Sequence, residues 1–192
     1  MGWRNLAYKE LQPHLLKGEI EHCIKRTCEE LNKLPDSPFH VATSLKFTND
    51  PEKTAKYIDK FIKREKKDFT IKAIYTETNG FDINPYEWYF ELFAYDNYGG
   101  HDDEYYDWLA YWQSEKYTRM ILTGMEELQD IYERREEIKA SQNIRGVVGY
   151  ASLLVVLKFQ EMIRNALPLS KELNCPFLAS SHDYDFIYEF KP

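Results

Sequence analysis

Cysteine, glycine and proline are all scarce in this chain, and no long hydrophobic run interrupts it. Of 192 residues, three are cysteine and eight each are glycine and proline. Cys23, Cys28 and Cys175 cannot all pair, form no CxxC, and have no histidine at a spacing that suits zinc, which excludes a disulfide-stapled miniprotein and a zinc module. Cys23 and Cys28 are five apart on a predicted helix and point in different directions, so three reduced, structural thiols are expected. So few glycines and prolines, without a period, exclude a collagen-like or linker-rich chain. The longest nearly uncharged apolar run, Gly146–Leu157, is twelve residues, short of the roughly 20 that span a bilayer. The first ten residues hold no apolar core of signal-peptide length. These absences predict a cytoplasmic protein without membrane contact. Positive charge is also short, with 25 Lys and Arg against 32 Asp and Glu for a net of −7, which argues against general nucleic-acid binding. GxSxG, HExxH, GxGxxG and GxxxxGK[ST] are missing, so no decisive catalytic signature and no cofactor motif is present.

What the chain does contain is unevenly placed. Residues 1–67 carry a net charge of +4, residues 68–117 a net of −9, and residues 118–192 a net of −2. The middle segment also holds 16 of the 30 aromatic residues. No Gly/Ser- or Pro-rich linker separates the three blocks, so residues 1–192 read as a single domain with a distinctive middle.

Periodicity predicts an α+β fold, with a small, mostly antiparallel sheet of about four strands packed against four or five helices. Ile20, Cys23, Ile24, Thr27, Leu31 and Leu34 form a helical stripe that Pro35 ends. Phe39–Phe47 reads as a strand. Asp50-Pro51 reads as N-cap and first residue of a helix that buries Ala55, Ile58, Phe61 and Ile62. Phe69, Ile71, Ala73 and Tyr75 alternate as in a strand, Asn79-Gly80 signals a turn, and Trp88–Asp96 is expected to pair back. Thr123 and Glu126 have capping-box spacing before a charged helix. Residues from about Arg145 to Asn165 form a helix apolar nearly all round, and so a core helix that Pro168 stops. Tyr184, Phe186, Tyr188 and Phe190 share one face of a last strand.

Two constellations could carry function. In the segment 86–117, many tyrosines and tryptophans stand among Asp and Glu, more rings than a small core can hold with their polar tips satisfied. Exposed rings of this kind anchor protein interfaces, and a ring of carboxylates steers a basic partner toward them. The residues expected to bind such a partner are Asp96, Asp102, Asp103, Asp107, Trp108 and Trp112. The alternative is a metal-dependent hydrolase in which His101, Asp102 and Asp103 meet His182 and Asp183 around a divalent ion that activates water. A third reading is a structural protein that buries its aromatics in a homodimer. Ser180-Ser181-His182-Asp183 contains the residue types of a catalytic triad, but sequence neighbours do not build one, and it reads as loop composition.

The strand–turn–strand IKAIYTETNGFDINPYEWYFELFAYD (71–96), with the acidic loop after it, resembles in character the small acidic immunity proteins of bacterial polymorphic-toxin and contact-dependent systems. No motif specific to one family is matched, so no functional residue transfers. The resemblance implies a cytoplasmic, non-enzymatic protein without cofactor that neutralises a basic toxin domain by tight binding.

Overall fold

The computed structural model describes residues 2–100, 106–141 and 144–192. Among the described residues, seven α-helices pack with one five-stranded sheet of order β3-β2-β1-β4-β5. The chain starts with α1 (Trp3–Asn5), a π-helical turn (Leu6–Leu11) and α2 (Gln12–Leu15), then runs through α3 (Ile20–Leu31) and a 3-10 turn (Pro38–Thr43) into α4 (Pro51–Glu65). β1 (Ala73–Thr78) and β2 (Tyr89–Tyr95) form an antiparallel hairpin. A further 3-10 turn (Tyr106–Ala110) leads to β3 (Met120–Ile121), α5 (Glu126–Glu133), α6 (Arg135–Ser141) and α7 (Arg145–Ala166). β4 (Phe177–Ser181) lies parallel to β1, and β5 (Tyr188–Phe190) closes the edge antiparallel to β4.

The sheet has two covered faces, and each follows from strand alternation. Ile74, Phe90, Leu92, Ala94, Phe177 and Ala179 point toward the helices, where α7 runs against α3, α4 and β4. Gly146–Leu169 has the length and apolarity of a membrane span, yet 83% of its most apolar window is buried inside the fold, as the core-helix expectation requires. The other face carries Ala73, Tyr75, Tyr95, Leu178 and Ile187. Its cover is the aromatic loop itself, through Tyr98, Tyr106, Trp108 and Leu109.

Most elements follow their local signals. Asp50 caps α4 by accepting from Lys53 N at 2.8 Å, with Pro51 in the first turn. Three expectations are corrected. Phe39–Phe47 is not a strand, because Pro38 opens a 3-10 turn and Ser37 caps it, its hydroxyl accepting from Phe39 N at 3.2 Å. The buried residues there, Phe39 and Ala42, are three apart, a helical rather than an alternating spacing. The capping box at Thr123 does not form. Thr123 N donates to Asn49 Oδ1 at 3.0 Å, and Glu126 instead takes the N–H of Gly124, whose φ of +96° suits glycine. Finally, Ser180 and Ser181 belong to a strand rather than a loop. All five residues of β4 are buried, so it shows no alternation, as expected of a parallel strand inside a sheet.

Candidate functional site

After β2 the chain folds back across the face of the sheet opposite α7. Gln113 N donates to Ala94 O at 3.0 Å, Ala94 N to Ser114 Oγ at 2.9 Å, and Asp96 N to Gln113 Oε1 at 3.2 Å. Tyr95 Oη donates to Leu109 O at 2.9 Å, and Tyr98 Oη donates to Glu189 on β5. Trp108 sits beneath this strap, 4.9 Å from the Tyr95 ring and 5.8 Å from that of Tyr98, with Nε1 donating to Gly100 O at 3.3 Å. Gly99 makes that seat available, since a Cβ there would stand 2.2 Å from the indole.

Between the strap, the sheet and the β4–β5 turn lies a cleft of about 350 Å³. Tyr75, Phe93, Tyr95, Tyr106, Leu109 and Trp112 line it from the aromatic side. Glu77 and the turn residues His182, Asp183 and Asp185 line it from the polar side, and neither lysine nor arginine is among its lining residues. Glu77 is the fixed point. Tyr75 Oη donates to its Oε2 at 3.0 Å, and His182 Nδ1 lies 3.2 Å from its Oε1. Burial, reinforced by the charge of Glu77, holds the Tyr75 phenol well above its ordinary value, so it remains a proton donor. Tyr95 is raised for the same reasons, burial first. Asp183 takes up a left-handed backbone at φ +65°, a conformation that aspartate adopts more readily than most side chains, and its Oδ1 lies 3.8 Å from His182 Nε2. Trp112 stands at the mouth, half exposed and edge-on to Phe93 at 5.2 Å.

The residues expected to bind a partner divide accordingly. Trp112 borders the cleft. Asp96 and Asp107 are exposed on the strap. Trp108 is half buried and serves as the strap's own internal packing. Asp102 and Asp103 lie outside the described residues, as does His101. His182 and Asp183, from the alternative metal set, are adjacent, and His182 meets Glu77. Among the described residues, no group of three or more His, Cys, Asp or Glu is arranged to hold a metal ion.

Sequence reasoning missed Tyr75, Glu77 and Phe93. Their signal is the two-residue alternation along β1, which places Tyr75 and Glu77 on one face, and the cross-strand pairing of Tyr75 with Phe93. Asp185 could be placed only through β4, which the sequence pattern hides. Comparison with protein-family models, with curated proteins and with solved structures finds no match to this chain.

Proposed function

We propose that this chain is a non-enzymatic protein-binding module, an immunity-type inhibitor that acts in the bacterial cytoplasm by capping a basic surface of a toxin domain. The observation that carries the reading is the cleft on the strap-covered face, where three carboxylates and a half-exposed tryptophan converge and no lysine or arginine lines the space. One group of lysines stands together on the helical layer, where Lys56, Lys60 and Lys63 project from α4 beside Lys171. Carboxylates lining a cleft steer an oppositely charged partner toward it.

The two residue types should fail differently. The test uses the toxin domain encoded beside this gene, co-expressed to score growth and purified to measure binding kinetics. Neutralising Asp96 and Asp107 together should slow association several-fold and flatten its salt dependence, since exposed charges act over about 10 Å at 0.1 M salt. Trp112→Ala should leave association nearly unchanged and speed dissociation by about thirtyfold, the equivalent of about 2 kcal/mol for an anchoring ring. A neighbouring gene without a toxin domain, or a toxin that still kills when this chain is co-expressed, contradicts the reading.

A further inference from the structure

We infer that the cleft beneath the strap is a socket for one arginine side chain of the partner. The inference rests on the protein-binding reading above and names the group that the site receives. A volume of about 350 Å³ sits at the small end of ligand sites and suits one side chain rather than a helix or strand. Its chemistry is sided. Tyr75, Phe93 and Trp112 offer aromatic surface, and Glu77, Asp183 and Asp185 offer negative charge with no lysine or arginine among the lining residues.

Glu77 is already oriented. Tyr75 Oη and His182 Nδ1 hold one oxygen each at 3.0 and 3.2 Å, and its side chain remains 23% exposed. A carboxylate has about four acceptor positions, so its remaining lone pairs are free to take a bidentate donor. Guanidinium fits this arrangement better than ammonium. It is planar and weakly hydrated, stacks on aromatic faces, and presents a rigid fork of donors that two carboxylates can share. A lysine ammonium would satisfy the charge but lose the stacking and the second hydrogen bond.

The test titrates the isotopically labelled protein with the blocked tripeptide acetyl-Gly-Arg-Gly-amide and with its citrulline and lysine counterparts, following amide and indole N–H resonances. The arginine peptide should shift the Trp112 indole and the amides of residues 181–185 saturably, the lysine peptide several-fold more weakly, and the neutral, isosteric citrulline peptide not at all. Glu77→Gln should weaken the arginine peptide about tenfold. Asp183→Asn, an exposed position whose left-handed backbone asparagine also accepts, should weaken it without disturbing the fold. Equal shifts from arginine and citrulline, or a binding curve unchanged in both variants, overturn the socket. Peptide binding that depends on Glu77 supports it even if the neighbouring toxin is not inhibited. Toxin binding that ignores both substitutions overturns it while the wider reading stands.

Discussion

Lys158 shows how much a single residue can do unannounced. In the sequence it is the one charge between Gly146 and Gln160 of α7, and the natural expectation is a charge reaching for water. Instead it is buried, and its Nζ donates to the carbonyls of Ala42 at 2.6 Å and Thr43 at 3.2 Å, and to that of Leu45. These carbonyls lie at and just beyond the end of the 3-10 turn that the sequence pattern presents as a strand, so one ammonium satisfies three acceptors there. Burial pulls its pKa down. Lys158→Met keeps the stem and sheds the cost of a buried charge, but it strands three carbonyls, and the second effect should dominate. A loss of about 2 kcal/mol is expected in urea denaturation. An unchanged midpoint would mean that water reaches those carbonyls. The two tryptophans of the strap teach the same lesson. Trp108 and Trp112 look equivalent in the sequence, yet only Gly99 lets the first fold inward, while the second remains at the surface.

Elements were legible where the sequence carries a cap, an alternation or a long apolar run. The Asp50-Pro51 start of α4, the β1–β2 hairpin and the span of α7 all follow from caps, alternation or uninterrupted apolarity. β4 was not legible, because a strand covered on both faces has no period to read, and its FLASS sequence carries two serines. Those serines are satisfied internally. Ser181 Oγ accepts from Thr78 at 2.6 Å, and Ser180 Oγ donates to Tyr184 O at 2.7 Å, which draws the chain back into the turn bearing His182 and Asp183. The seven helices exceed the four or five expected because the segment before Gly18 is helical in short pieces and the helix after Thr123 is divided at Arg134. α7 is the element on which the others depend. Leu154 is fully buried at its middle, so Leu154→Ala should cost about 2–5 kcal/mol through lost transfer energy and the residual cavity. A melting temperature equal to that of the parent would place that helix face against solvent.

At the scale of the whole molecule, the acidic, aromatic middle of the sequence supplies much of the cleft's lining. The positive N-terminal third contributes the lysines of α4 to the helical layer, whereas the negative middle builds the strap and one wall of the cleft. Composition alone located the acidic, aromatic segment but not the site, since Glu77, His182 and Asp185 converge only once β1 and β4 lie parallel. The measurement that bears most directly on the central claim is amide hydrogen exchange of the chain, free and bound to the basic toxin domain proposed as its partner. Binding through the acidic, aromatic face should slow exchange at residues 106–112 and 181–185 and leave α4 unchanged. Protection confined to α4 and residues 170–174, with none along the strap or the β4–β5 turn, would contradict the account.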